Sequence, residues 1–325
     1  MSIACDRQLP ADPAVRHGVV AVLVGPTASG KSGLAVALAD SLSRWDQPAE
    51  IVNADSMLVY RGMDIGTAKP TPDELKRVRH HLVDLLDVTE TATVAEFQFR
   101  ARTAVADCLS RGVLPIVVGG SALYIRAIVD EFEFPGTDPE LRARLTAELS
   151  LVGANVLHER LTRIDPAAAA AILPGNGRRI VRALEVVELT GKPFPARLPP
   201  RRYALKDVIQ IGLSIDRATL DRRIEQRVEA MWDAGLVSEV RDLVGHGLRD
   251  GLTASRALGY RQVLDSFAGV VDEAEARRRT IAATRRFARR QDSWFRQDHR
   301  ITWLPYDQSG LVEAVAQLLA VPVED

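Results

Sequence analysis

Val19-Val-Ala-Val-Leu-Val24-Gly25-Pro-Thr-Ala-Ser-Gly30-Lys31-Ser32 decides the fold. An apolar run is followed by a glycine-flanked turn, a Lys-Ser pair, and then Leu34, Ala35, Leu38 and Leu42 at helical spacing. That order reads as buried strand, loop, helix. The turn Gly25, Pro26, Thr27, Ala28, Ser29, Gly30, Lys31, Ser32 fits G-x-x-x-x-G-K-[ST], and it lies where the pattern has a mechanism. The glycines let backbone N–H groups converge on an anion, and the helix N-terminus adds partial positive charge. Lys31 can neutralise a terminal phosphate, and Ser32 can ligate Mg²⁺. The loop reports a di- or triphosphate group, ATP or another nucleotide included, without naming the molecule that carries it.

Outward from the loop, strands and helices alternate. Glu50–Ala54 reads as a strand, Val94–Leu109 as a helix and Leu114–Val118 as a strand closed by Gly119-Gly120; a further helix begins at Ser121, whose hydroxyl is placed to cap it. This alternation predicts an α/β fold, a parallel sheet flanked by helices. From Asp138 to about Gly191 only helical spacing appears: Asp138–Leu151, Asn155–Ile164, Asp165–Leu173 and Arg178–Leu189. Asp138 and Asp165 each precede a proline, a cap followed by an N1 residue. Val208–Ile215 then resumes the sheet. Helices follow at Ala218–Ala234, Val237–His246 and Glu273–Phe295, and Ile301–Leu304 reads as a last strand. The expected organisation is a phosphate-loop core over residues 18–130 and 207–325, interrupted by an all-helical insertion over 131–206. Residues 1–17 hold Asp6, Arg7, Asp12 and Arg16 and no apolar centre, so a flexible extension is expected rather than a secretory leader.

The chain has 325 residues, with 42 Lys+Arg against 43 Asp+Glu and a formal net charge of −1. This total hides local basic regions. Residues 171–206 carry eight basic side chains (Arg178, Arg179, Arg182, Lys192, Arg197, Arg201, Arg202 and Lys206) against Glu185 and Glu188. Backbone phosphates respond to such local fields, not to the sum. Cys5 and Cys108 are the only cysteines, so a disulfide framework and a Cys-rich zinc site are excluded. No apolar run approaches the roughly 20 residues of a bilayer span, and a cytoplasmic protein with no membrane association is expected. His80 and His81, being adjacent, diverge, and no ligand cluster is expected near them. Tyr60 and Tyr124 are candidates either for the core or for stacking on a base.

A nucleotide-hydrolysing reading expects a strand ending in an acid to hold the Mg²⁺ water. Leu114–Val118 ends in Gly-Gly; the strand that ends in an acid is Ile51-Val-Asn-Ala-Asp55. At the carboxyl edge of a parallel sheet, Asp55 would face the phosphate loop. It could serve there as a Mg²⁺ ligand or as a general base.

The stretch Asp55-Ser-Met-Leu-Val-Tyr-Arg-Gly-Met-Asp-Ile-Gly-Thr-Ala-Lys-Pro70 closely resembles the signature of the tRNA dimethylallyltransferase family. Further blocks resemble that family: His80-His-Leu-Val-Asp-Leu-Leu-Asp87, Val118-Gly-Gly-Ser-Ala-Leu-Tyr124, Arg178-Arg-Ile-Val-Arg-Ala-Leu-Glu185 with Thr190-Gly-Lys192, Arg222-Arg-Ile-Glu-Gln-Arg-Val-Glu-Ala-Met231, Ala257-Leu-Gly-Tyr-Arg-Gln262 and Arg289-Arg-Gln-Asp-Ser-Trp-Phe-Arg296. The resemblance spans roughly Val19 to Leu304. It implies that the loop Gly25–Ser32 holds the diphosphate of dimethylallyl diphosphate with Mg²⁺ on Ser32. It also implies that Asp55 takes a proton from adenine N6, that Arg223 stabilises departing pyrophosphate, and that Ser121 contacts substrate. Asp55, Ser56, Met57 and Leu58 would meet the target nucleotide; Arg178, Arg179, Arg182, Arg256, Gly259, Tyr260 and Arg261 would meet the tRNA anticodon stem-loop. A monomer is expected. The family often has Gln at the position of Leu58 and Thr at that of Ser121; Leu58 cannot hydrogen-bond an adenine edge, whereas Ser121 keeps the hydroxyl. Prenylation of free AMP, ADP or ATP, a small-molecule kinase activity, and RNA binding without catalysis are the alternatives.

Overall fold

The computed structural model describes residue 15, residues 18–196 and residues 198–320. The extension expected over 1–17 lies outside them except for Val15, which packs on the core and donates its N–H to Gln47 Oε1 at 2.8 Å. Arg197 is also outside them. The chain divides into two compact units, a core that ends at Asp130 and resumes at Tyr203, and a second unit over Glu131–Arg202. The second unit therefore ends four residues before the expected boundary at 206. Tyr203 is part of the core because it forms an antiparallel bridge with Asp130.

The core is built in this order: β1 (Val20–Val24), α1 (Lys31–Arg44), β2 (Ala49–Asn53), α2 (Pro72–Arg77), β3 (His80–His81), α3 (Val94–Ser110), β4 (Leu114–Gly119) and α4 (Ala122–Val129). The second unit adds α5 (Pro139–Ile164), α6 (Pro166–Ala171) and α7 (Gly177–Thr190). The core resumes with β5 (Val208–Ser214), α8 (Arg217–Asp233), α9 (Leu236–Gly245), α10 (Tyr260–Phe267), α11 (Glu273–Phe295), β6 (Ile301–Pro305) and α12 (Leu311–Ala320). The six strands form one sheet in the order β3-β2-β4-β1-β5-β6, with every pairing parallel. A parallel sheet must be covered on both faces, and β1 shows the alternation. Val20, Val22 and Val24 point into a cluster with α3, α4, α9 and α10 residues. Val19, Ala21 and Leu23 point into another with α1 and α12 residues.

A fully buried carboxylate, Asp130, holds the chain where it leaves and re-enters the core. Asp130 accepts from Arg126 Nε at 2.8 Å and from Arg300 Nη1 at 2.7 Å. The Arg300 guanidinium also stacks on Tyr203, 4.1 Å from the ring centroid. Paired buried charge of this kind is costly to break on one side, about 3–5 kcal/mol.

In the second unit, α5, α6 and α7 enclose Leu145, Leu157, Leu161, Ile180 and Leu184. Both expected Asp-Pro caps form: Asp138 accepts from Glu140 N and Leu141 N, and Asp165 from Ala168 N. The expected break between two helices is a kink inside α5 at Gly153, where φ is 82°. Among the described residues no helix is long and apolar enough to cross a membrane.

Candidate active site

The phosphate loop joins β1 to α1, at the carboxyl edge of the sheet. Its backbone takes the left-handed region at Ala28 (φ 64°) and Gly30 (φ 104°), which turns successive N–H groups inward. At Gly25 (φ 143°) a side chain would be strained and tightly held, its Cβ 3.2 Å from Leu213 O and 3.3 Å from Ser29 Oγ. Ser29 is 1% exposed and its Oγ has no hydrogen-bond partner. Such an orphaned hydroxyl inside an anion-binding turn fits a loop built around a ligand.

Lys31 is 8% exposed, and its Nζ donates to Pro26 O at 2.6 Å. Burial, reinforced by the nearby Arg227 cation and opposed by Asp55, pulls its ammonium down to about 7. Burial also lowers Arg227, against the attraction of Asp55. One anion is thus set beside a buried lysine and a half-buried arginine, an arrangement short of negative charge.

Asp55 follows β2. Its backbone is fixed by Asn53, whose Oδ1 accepts from Asp55 N at 2.7 Å and whose Nδ2 donates to Asp55 O at 2.9 Å. The Asp55 carboxylate accepts from Met57 N at 2.9 Å, which begins the signature loop. The loop is less polar inside than its sequence suggests, since Val59, Tyr60 and Met63 are buried. Glu239 of α9 holds its far side. One carboxylate oxygen accepts from Ile65 N at 2.7 Å and Asp64 N at 3.1 Å, and the other from Gly66 N at 3.3 Å and Tyr260 OH at 2.5 Å. Lys69, nearly buried, binds Tyr60 O, Asp64 and Asp84.

These parts surround one cleft of about 340 Å³. Thr27, Lys31, Ser32, Asp55, Arg223 and Arg227 supply its polar wall; Ala35, Ile51, Leu58, Pro70 and Val83 supply its apolar wall. It therefore suits a small ligand with an anionic head and a hydrocarbon body. The hydroxyl of Ser32 and the carboxylate of Asp55 are hard oxygen donors of the kind Mg²⁺ takes.

The structure brings together most of the residues expected at the catalytic centre. Arg223 reaches the phosphate loop, its Nη2 being 3.7 Å from where a Gly30 Cβ would sit, with its guanidinium over Tyr306. Ser121 is the N-cap residue of α4 next to the cleft-lining Gly119 and Gly120, yet its hydroxyl makes no capping hydrogen bond. Leu58 lines the cleft as part of the apolar wall.

Other expected residues lie away from the cleft lining. Tyr260 is fully buried, and its ring fills the space beside Gly66, where a Cβ would lie 2.4 Å from it. It is a core anchor of the signature loop, and Gly259 is buried beside it; only Arg256 and Arg261 of that segment are exposed. Met57 packs against the core. Tyr60 is fully buried, its hydroxyl donating to Glu90 O and accepting from Ala92 N, so it is not a stacking platform. Arg182 bonds Glu185, Pro135 O and Gly136 O, so it serves the second unit's own structure; Arg179 bonds Ala196 O but stays exposed, as does Arg178.

His81 does have partners: its Nε2 is 2.6 Å from Glu50, and Cys108 Sγ donates to the same Glu50 oxygen at 3.4 Å. Arg111 grips both Glu50 oxygens, at 2.8 and 2.7 Å. Arg111 is the main reason the Glu50 carboxyl is held down to about 2. Burial and Glu50 push the Cys108 thiol up to about 12. The cation of this cluster is therefore an arginine, and the thiol is inert.

Two cleft residues, Arg227 and Gln291, fall outside the expected set. Arg227 lies one helical turn beyond Arg223, so the i,i+4 spacing was the available clue. Gln291 lines the cleft from α11, its Oε1 accepting from Thr27 N and its Nε2 donating to Gly120 O, both at 2.8 Å.

Comparison with known proteins gives a consistent answer. Residues 58–298 match the family described as IPP transferase. The tRNA dimethylallyltransferase of Kineococcus radiotolerans is 61% identical over 92% of this chain and 96% of its own length. That of Thermobifida fusca is 58% identical over 92% and 94%. Among solved structures, the tRNA isopentenylpyrophosphate transferase of Bacillus halodurans aligns with a TM-score of 0.67 at 37% identity, covering 93% of this chain and 97% of that one. A eukaryotic dimethylallyltransferase acting on tRNA aligns with a TM-score of 0.75 at 25% identity, over 88% and 73%.

Proposed function

The chain belongs to the IPP transferase family, and from that premise we propose that it moves a dimethylallyl group from dimethylallyl diphosphate to N6 of the adenosine 3′-adjacent to the anticodon in certain tRNAs, releasing pyrophosphate. The observation that carries this reading is a cleft that joins a phosphate loop and two arginines to a carboxylate and an apolar wall.

An exocyclic adenine amine is a weak nucleophile, so the reaction needs alignment, stabilisation of the leaving group and removal of a proton. The N6 lone pair forms a bond to the allylic carbon as the carbon–oxygen bond breaks, and the electron pair leaves with pyrophosphate. Lys31, Arg223, Arg227 and the N–H groups of the phosphate loop stabilise that charge. Asp55 accepts the N6 proton, a contribution of about 10²–10⁴-fold. Leu58 and its apolar neighbours receive the hydrocarbon. When bound at Ser32, Mg²⁺ supplies further neutralisation of the diphosphate. The target adenine must leave its stack to reach such a cleft. The Arg-rich second unit and the exposed Arg256 and Arg261 are suited to RNA backbone. A monomer acting in the cytoplasm, where unmodified tRNA is found, completes the proposal.

Incubation with labelled dimethylallyl diphosphate, unmodified tRNA and free AMP together tests it. Label is expected in tRNA and not in AMP. Label in AMP alone would favour an adenylate prenyltransferase, and phosphate transfer from ATP would favour a kinase.

A further inference from the structure

The block Arg289-Arg-Gln-Asp-Ser-Trp-Phe-Arg296 helps to identify the family, but the prenyl-transfer chemistry gives it no task. The structure supplies one through Gln291. This side chain is 6% exposed and uses both ends of its carboxamide: Oε1 accepts from Thr27 N of the phosphate loop, and Nε2 donates to Gly120 O of the turn after β4. The two partners are an N–H and a carbonyl, so only a group with one acceptor and one donor at this reach satisfies both. Glutamate would set an oxygen against the Gly120 carbonyl, and methionine would leave both backbone groups unpaired.

The contacts continue toward Asp55 with no slack. A Cβ on Gly120 would lie 2.3 Å from Gln291 Nε2 and 3.5 Å from Gly25 O. A Cβ on Gly119 would lie 2.6 Å from Ala54 O. Ala54 N donates to Val118 O at 2.8 Å, and Ala54 immediately precedes Asp55. One carboxamide therefore joins the loop that would hold the donor's diphosphate to the turn after β4, and that turn packs on Ala54, the residue before the proposed base. We infer that Gln291 is a positioning residue that sets the separation between the donor loop and Asp55, and so the alignment of the allylic carbon with the acceptor amine. The inference rests on the prenyl-transfer reading.

Displacement of reacting groups by about 1 Å can cost on the order of 100-fold in rate. Steady-state kinetics of Gln291→Met, Gln291→Glu and Gly120→Ala with dimethylallyl diphosphate and tRNA test the inference, with thermal melts alongside. The expected result is a fall in kcat of about 100-fold, with KM for each substrate and the affinity for inorganic pyrophosphate within about threefold of wild type. Gly120→Ala should reproduce it, because its methyl group pushes the carboxamide off its partners. A kcat within about threefold of wild type would overturn the inference. So would an unchanged kcat with a raised donor KM, which would make Gln291 an element of donor binding alone. Failure of all three variants to fold would mark Gln291 as structural and also overturn it. A wild-type enzyme that transfers no prenyl group would instead remove the functional reading, and this inference with it.

Discussion

Lys31 shows how a single residue couples the fold to its ligand. Its ammonium is buried beside Arg227, and its pKa falls to about 7. Below that pH both the native and the unfolded chain hold the proton, and the fold bears the whole cost of the buried charge. Between about 7 and the ordinary lysine value near 10.5 the unfolded chain holds the proton and the native chain does not, so stability rises with pH across that window. A bound diphosphate reverses the balance by favouring the charged form. Binding of dimethylallyl diphosphate at about pH 8 should therefore take up close to one proton, and at about pH 6 almost none. Calorimetry in buffers of different ionisation enthalpy reads this number directly, and Lys31→Arg should abolish the uptake because arginine never loses its charge. Uptake that is absent in wild type would show that the donor does not engage Lys31. The lysine itself is evident from the Gly-Lys-Ser pattern. Its depressed pKa is not, because that depends first on burial in the folded chain and then on Arg227, 196 positions along the chain.

Among the elements, the signature loop is the one whose shape is held from outside. Its backbone N–H groups at Asp64, Ile65 and Gly66 all end on Glu239 of α9, which also accepts from Tyr260 of α10. The same loop carries Leu58, Thr67 and Pro70 into the cleft wall. Removing the shared acceptor leaves several donors unpaired, at a cost of about 2–3 kcal/mol. Glu239→Ala should lower the urea midpoint accordingly and open the loop. Trypsin cleavage after Arg61 should then become faster than in wild type while other sites keep their rates. An unchanged cleavage rate would mean that Lys69 and the packing of Val59, Tyr60 and Met63 hold the loop without Glu239. Helix α10 is absent from the periodicity reading because it is short and follows two 3₁₀ turns, at Leu248–Asp250 and Ala254–Arg256. Strand β3 escapes for a related reason: two residues carry no alternation.

At the scale of the whole molecule, a net charge of −1 conceals the basic stretch 171–206, but not all of its arginines face outward. Glu185 is fully buried, which would raise its carboxyl; hydrogen bonds from Arg142, Thr137, Arg182 and Asp138 N outweigh this and hold it at about 2. Arg182→Ala should therefore destabilise the protein in a urea melt, by about 1–3 kcal/mol. A test of RNA contact should leave Arg182 in place. Arg178→Ala with Arg179→Ala should weaken tRNA binding and flatten the dependence of log Kd on log salt by roughly 1–2 units. A full slope in that double variant would put the tRNA on other residues of the chain. The boundary of the second unit also came from tertiary contacts. The basic stretch runs on to Lys206, but the Asp130–Tyr203 bridge and Arg300 draw the chain back into the core after Arg202.

By itself the sequence determined the phosphate loop, the position of Asp55, the alternation of strands and helices, and the interruption by Asp-Pro-capped helices. Each of these is a local pattern in which neighbours in the chain do the chemistry or set the period. Tertiary structure alone decided the strand order that inserts β4 between β1 and β2. It decided the burial of Tyr60 and Tyr260, the internal use of Arg182, and the arrival of Arg227 and Gln291 at the cleft. Helical spacing says which residues share a face, but not what that face meets. Gln291 lies 264 positions beyond Thr27, and only the packing of α11 against the sheet edge brings its carboxamide to the phosphate loop.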